Sequence, residues 1–513
     1  MRTDSDAAGA AASGAAGAHG GGGALPTVLE GIVASRRTHL PEIRARITHV
    51  DPEALPRSTR SLFDSLSQPG TSFIMECKSS SPSLGMIRED YRPGDIARIY
   101  TRYASGISVL CEPERFGGDY DHLATVSAST HLPVLCKDFI VDEVQIHAAR
   151  YFGADAILLM LSVLSDEEYA KLSAEADRLG LDVLTEVISE DEVARATNLG
   201  AKIFGVNHRD LNDLSIDLSR SARLAPLVPE GAVIVAESGI RDNRTVRSLS
   251  HADAFLVGSQ LTSQPDIDLA ARELVFGTVK VCGLRTKTAA QVARACGATW
   301  GGLVFAEGSP RNVSRETAKE IIAAESGLRF AAVSRETSGW GELVRETGVD
   351  AAQLHAPYQG SIEAEKEFIA SVRAELPEGV EIWRAVSMSP AGESPISTDG
   401  AGASGTASDA GAATPAEVAA ALVGEVDRLV LDSGNGGTGS AFDWSAIPDD
   451  VKAHALLAGG LSPENLAGAF EAGCAGVDLN SGFEYGEDTG TWAGHKDAAR
   501  LRAASEIIRG RRS

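Results

Sequence analysis

Three short apolar runs end in charge. Residues 73–78 (Phe-Ile-Met-Glu-Cys-Lys), 133–137 (Pro-Val-Leu-Cys-Lys) and 182–186 (Asp-Val-Leu-Thr-Glu) finish on Lys78, Lys137 and Glu186, and helical pattern follows each. A parallel strand is buried on both faces, and an ionised group at its carboxyl end is costly unless a site uses it. Barrels of alternating strands and helices build their sites at that end. The pattern therefore points to a barrel with a charged mouth.

Eight such runs occur in order: 73–78, 107–111, 133–137, 155–160, 182–186, 203–207, 233–237 and 253–257. Helical periodicity occupies 142–152, 166–179, 190–199 and 266–276, and precedes the first run near 27–33 and 57–66. The count then restarts at 278–282, 300–305, 328–333, 350–354, 381–386, 427–432, 453–458 and 476–479. Two sets of eight strand-then-helix units, each filling roughly 200 residues, predict an α/β chain of two consecutive (β/α)8 TIM barrels. The expected divisions are a disordered Ala/Gly-rich tail at 1–26, a first barrel at 27–276 and a second at 277–513. A Gly/Ala/Ser/Thr/Pro-rich stretch at 387–415 reads as a flexible insertion after the fifth strand of the second barrel.

The 513 residues are too many for one core, and the formal charge of −24 argues against nucleic-acid or anionic-membrane partners. None of the six cysteines forms a C-x-x-C pair and no His cluster accompanies them, so neither a metal nor a disulfide framework is expected. No run of about 18 apolar residues exists to span a membrane. The expectation is a cytoplasmic monomer acting on small molecules without a cofactor.

Small residues follow the seventh and eighth strands of each barrel, at Ser238-Gly239, Gly258-Ser259, Gly459-Gly460 and Ser481-Gly482. Backbone amides and a helix N-terminus there suit a phosphate. Glu76 and Lys78 alternate along one strand and can both face inward, with Lys137 and Glu186 reaching the same mouth. A structural ion-pair network is the competing reading. In the second barrel, Cys282 ends the first strand and Asp432 the sixth. A thiolate facing a carboxylic acid makes a base/acid pair, whereas inert packing is the ordinary role of a buried Cys.

Motifs in the first half resemble indole-3-glycerol-phosphate synthase over about 27–276: Glu-Cys-Lys-Ser-Ser-Ser-Pro-Ser at 76–83, Pro-Val-Leu-Cys-Lys-Asp-Phe-Ile at 133–140, Leu-Thr-Glu-Val at 184–187, Gly-Val-Asn-His-Arg-Asp-Leu at 205–211 and Ala-Glu-Ser-Gly-Ile at 236–240. The resemblance implies that Lys137 is the general acid of ring closure and Glu186 the acid/base of dehydration. Lys78, oriented by Glu76, would hold the anthranilate carboxylate with support from Arg209. Asn207 and Glu237 would position polar groups, and Phe116 and Phe139 would wall the aromatic ring. Ser81, Ser238, Gly239, Gly258 and Ser259 would take the phosphate end. Leu84 and His208 depart from the family's usual residues.

Lys-Val-Cys-Gly-Leu at 280–284, Ser-Pro-Arg at 309–311, Gln-Leu-His at 353–355, Leu-Asp-Ser at 431–433, Gly-Gly-Thr-Gly at 436–439 and Ala-Gly-Gly-Leu-Ser-Pro-Glu-Asn at 458–465 resemble phosphoribosylanthranilate isomerase over about 278–508. The resemblance implies an Amadori rearrangement with Asp432 as acid and Cys282 as base. Arg311 would bind the anthranilate carboxylate, His355 and Asp478 would contact the substrate, and Gly460, Ser481 and Gly482 would hold phosphate. Ala356 and Arg384 depart from the usual pattern. The isomerase's product is the synthase's substrate, so the chain resembles the fused bifunctional enzyme of tryptophan biosynthesis. The alternative is a single-activity synthase whose second barrel is structural or only binds phosphosugar. A dual-substrate sugar isomerase fits less well, because an Asp would then be expected where Cys282 stands.

Overall fold

A computed structural model describes residues 28–81, 85–210, 214–388, 413–433 and 442–510. The first barrel closes on eight parallel strands: Ser72–Cys77, Gly106–Leu110, Val134–Lys137, Ala156–Met160, Asp182–Val187, Ile203–Asn207, Val233–Glu237 and Ala254–Val257. Closure is direct, since Met75 pairs with Val257 on one side and Ile107 on the other. The second barrel closes on Thr278–Val281, Trp300–Phe305, Arg329–Ser334, Ala351–Leu354, Glu381–Ser387, Arg428–Asp432, Ala455–Leu457 and Gly476–Leu479. All sixteen expected strands are present, with ends displaced by at most two residues.

Strand residues alternate between two cores, as parallel strands covered by helices must. Outward residues such as Phe73, Met75, Ile107 and Val109 pack under the helices. Inward residues such as Ile74, Leu135, Leu158, Leu184 and Val235 fill the first barrel. Helix Leu62–Leu66 buries Leu62 and Leu66 against that inner core at the amino-terminal end of the strands. Helix Val28–Thr38 adds Leu29 and Ile32 and reaches the carboxyl-terminal face, where Arg36 forms a buried bidentate pair with Asp138 (2.8 and 2.6 Å). The second barrel is filled by Trp300, Trp383, Ala331, Ala351, Val430 and Leu456, with the two indoles 4.6 Å apart edge to face.

Two expectations need correction. Helical structure at 57–66 begins only at Leu62, because Ser61 caps it by accepting from Asp64 N. Arg57 and Arg60 instead donate to the carbonyls of Arg178 and Thr130. The insertion is also shorter than 387–415. Ser387 pairs with Asp432 in the barrel, and Thr414 and Glu417 form a capping box that opens helix Pro415–Leu422. Residues 389–412, the tail at 1–26, Leu84 and the Gly-Gly-Thr-Gly stretch lie outside the described residues.

The barrels are joined at Gly277, whose φ of +72° turns the chain from helix Ile267–Phe276 directly into the first strand of the second barrel. Asp268 is the polar centre of the junction. It meets Arg102 and Arg272 of the first barrel and Arg294 of the second, and it accepts from Tyr103 Oη. No helix among the described residues is long and apolar enough to cross a membrane.

Candidate active sites

The mouth of the first barrel gathers five ionisable side chains from four strands. Lys78 Nζ lies 2.7 Å from Glu76 Oε1, and Lys137 Nζ lies 3.5 Å from Glu76 Oε2 and 2.9 Å from Glu237 Oε2. Burial opposes charge on both Glu76 and Lys137, but the mutual attraction wins. Lys78 and Lys137 hold Glu76 below the usual carboxylate range, and Glu237 and Glu76 hold Lys137 above the usual lysine range. Glu186 behaves oppositely. Burial, and then the nearby Glu237, push it up to about 8, even though Lys137 and a hydrogen bond from Asn207 favour its charge. With Glu186 protonated, two ammonium groups balance the carboxylates of Glu76 and Glu237. The site thus holds a permanent cation beside a carboxylic acid, the two things that carbonyl chemistry and dehydration require.

Around this cluster, Asn207 Oδ1 accepts from the Arg209 amide, and the Arg209 guanidinium donates to the Leu214 carbonyl instead of joining the lysines. Phe116 and Phe139 stand 6.1 Å apart as tilted rings, packed with helix Val28–Thr38. Ser238, after the seventh strand, has a φ of +67°, unusual for a residue with a side chain. Its carbonyl accepts from Nδ1 of the buried His208, which burial keeps neutral. Gly239 follows at φ +77°, Gly258 and Ser259 open helix Ser259–Thr262, and Ser81 is buried in a short ribbon between the first strand and its helix.

In the second barrel, Cys282 is buried just past the first strand. Burial raises its thiol, against the attraction of Lys280. Asp432, at the end of the sixth strand, is pushed up to about 6 by burial and by Asp478. Among the described residues, one oxygen each of Asp432 and Asp478 is buried without a hydrogen-bond partner, as expected of groups arranged for a ligand. His355 is held neutral, at about 3, by burial and the charges of Lys280 and Arg384, and its Nε2 accepts from Gln353 Nε2 (2.6 Å). Arg311 directs a bidentate fork at Glu484 (2.8 and 2.7 Å), which also takes Lys496 (2.7 Å). Gly460 (φ +65°) and the turn Ser481–Phe483 close the mouth, with Arg500 Nε donating to the Gly482 carbonyl.

The family model of indole-3-glycerol phosphate synthase matches residues 29–274, and that of N-(5'-phosphoribosyl)anthranilate isomerase matches residues 407–504. The chain is similar to the tryptophan biosynthesis protein TrpCF of Corynebacterium glutamicum, with 65% identity over 480 residues covering 93% of this chain and 96% of the relative. This chain belongs to the TrpCF family. A second member, from Yersinia pestis, is 41% identical over 482 residues, covering 93% and 92% of the two chains. Among solved structures, phosphoribosyl anthranilate isomerase from Thermus thermophilus is 26% identical, covers 45% of this chain and 98% of its own, and has a TM-score of 0.34. The chain is accordingly a bifunctional enzyme of tryptophan biosynthesis, with a synthase barrel followed by an isomerase barrel.

Sequence reading missed the residues that make room for the charged ones. A side-chain carbon at Gly205 would fall inside contact distance of Glu237 Oε1. One at Gly459 (φ +75°) would fall 2.6 Å from Asp432 Oδ1. Gly258, expected at a phosphate, also leaves space for Glu76 and lies 2.9 Å by the same measure from Lys78 Nζ. Gly205→Ala is expected to displace Glu237 by about an ångström and lower synthase kcat/KM by ~100-fold, leaving isomerase turnover unchanged. Equal activity in the two proteins would show that Glu237 needs no such clearance.

Proposed function

We propose that the second barrel converts N-(5-phosphoribosyl)anthranilate to 1-(2-carboxyphenylamino)-1-deoxyribulose 5-phosphate. The first barrel then closes the pyrrole ring to give indole-3-glycerol phosphate, CO2 and water. In the isomerase, Asp432 protonates the ribose ring oxygen, which opens the sugar to a Schiff base. Cys282 removes the proton from the adjacent carbon, and the enolamine tautomerises to the ketone. In the synthase, Lys137 donates to the carbonyl oxygen as the new carbon–carbon bond forms, and Glu186 handles the proton of dehydration. Lys78 takes the anthranilate carboxylate in one barrel and Arg311 in the other. Both phosphates sit on the small-residue loops after the seventh and eighth strands. The chain works as a cytoplasmic monomer without a bound cofactor.

The observation that carries this reading is one buried cluster in which Lys137 Nζ is held 2.9 Å from Glu237 and 3.5 Å from Glu76 beside a buried Glu186, an arrangement that favours charge on Lys137 and a proton on Glu186. That pairing supplies both proton donors the ring closure needs. Titration with the reduced, unreactive form of the deoxyribulose intermediate is expected to show two sites per chain. Lys78→Ala should remove one and Arg311→Ala the other. A single site, or one variant removing both, would contradict the assignment.

A pH dependence follows. Because Glu186 is neutral below about 8, its proton is available throughout the neutral range and is lost as pH rises through that value. Synthase kcat/KM should fall above about pH 8, and Glu186→Gln should lower activity and abolish that limb. Persistence of the same limb in Glu186→Gln would assign it to another group.

A further inference from the structure

Lys280 is a fully buried ammonium inside the second barrel, and the proposed chemistry does not use it. It stands on the same strand as Cys282, two residues before it, so the two side chains share the inward face. Its register partner on the eighth strand is Asp478, and Nζ lies 2.6 Å from Asp478 Oδ2. The ammonium and the Cys282 thiol also influence each other electrostatically. A side-chain carbon at Gly302 would be 2.8 Å from Cys282 Sγ and 3.0 Å from Lys280 Cε, so the two side chains flank the same space and the glycine leaves room for both. The buried Trp383 ring of the barrel interior lies 6.0 Å from Nζ.

We propose that Lys280 is a positioning residue for the isomerisation, acting through Cys282: its ammonium, anchored by Asp478, hydrogen-bonds the sulfur and stabilises the thiolate that takes the substrate proton. The inference rests on the assignment of Cys282 as the base. The proton moves from carbon to sulfur, and Lys280 keeps its own protons throughout. The buried pair has a direction, with its positive end at Cys282 and its negative end toward Asp432. It therefore favours thiolate at one group and carboxylic acid at the other, the two forms the rearrangement starts from. Burial alone would hold the thiol too high, and Lys280 is the strongest influence against it. The remaining charges facing Cys282 are Asp478 on the eighth strand, Lys496 beyond that strand and Arg311 after the second. Lys496 and Arg311 are both paired with Glu484.

The test is the pH profile of iodoacetamide labelling at Cys282, read on its own peptide by mass spectrometry in the full chain without substrate. Lys280→Met should move the midpoint up by a unit or more, slowing labelling near neutral pH about tenfold, and isomerase kcat/KM should fall with it and recover at high pH. Lys280→Arg, which keeps the charge, should stay near the wild-type midpoint. A merely structural lysine would cost stability and leave the midpoint in place, and that result overturns the proposal. If Lys280→Met does not fold, Lys280→Met with Asp478→Asn removes the unpaired carboxylate, and an upward midpoint is still expected. Failure of the base assignment is separately visible, because Cys282→Ala would then retain isomerase activity.

Discussion

Lys137→Ala is expected to abolish indole-3-glycerol phosphate formation while the isomerase in the same chain continues. The lysine is the only cation that touches both Glu76 and Glu237 among the described residues. Its removal takes away the proposed donor to the carbonyl, which general acid catalysis values at ~100- to 10,000-fold. It also leaves Glu237 without its cation in a site where Glu237 Oε1 already lacks a partner among the described residues. A buried carboxylate left alone costs about 3 kcal/mol or more, so a lower melting temperature should accompany the loss. Lys137→Arg keeps the charge but presents a broad fork where the site offers a point contact, and it should recover stability better than activity. Synthase turnover above about a tenth of wild type in Lys137→Ala would exclude Lys137 as the acid, given the size of that effect.

Cys282→Ala should have the converse result. The isomerase should fall by ~1,000-fold, since the change removes the proposed base. The fold should tolerate the change, because deleting one sulfur from a buried site costs about 1 kcal/mol. Supplying the deoxyribulose intermediate should restore indole-3-glycerol phosphate formation fully, because the synthase cluster is built entirely from first-barrel strands. If Cys282→Ala also removed the synthase activity, the two mouths would not be independent sites.

The barrels were legible because their strands are buried on both faces, which makes each a continuous apolar run that needs no periodicity to be seen. Charges such as Lys137 and Glu186 stood out against that background, and so did Cys282 and Asp432. The helix expected at 57–66 failed for the opposite reason: Arg57 and Arg60 look helical by composition but are used to tie the chain to the bottom of the barrel. Composition alone extends the insertion to 415, whereas the Thr414–Glu417 capping box, a local signal in the same sequence, starts the next helix sooner. Gly205 and Gly459 could not have been singled out, since their meaning lies in a carboxylate on the neighbouring strand. Glu484 is similar: a loop acid becomes interpretable only once Arg311 and Lys496 are seen to converge on it. Lys280, by contrast, was visible as a charge inside an apolar strand, two residues from the cysteine. Its importance emerges with Asp478 beside it.

The central claim is that one polypeptide carries both half-reactions. Purified full-length protein should therefore be given N-(5-phosphoribosyl)anthranilate alone and the products followed by absorbance and chromatography. The account predicts that indole-3-glycerol phosphate appears, because neither barrel alone completes the path. Accumulation of the carboxyphenylamino-deoxyribulose phosphate, or a substrate left untouched, would contradict it.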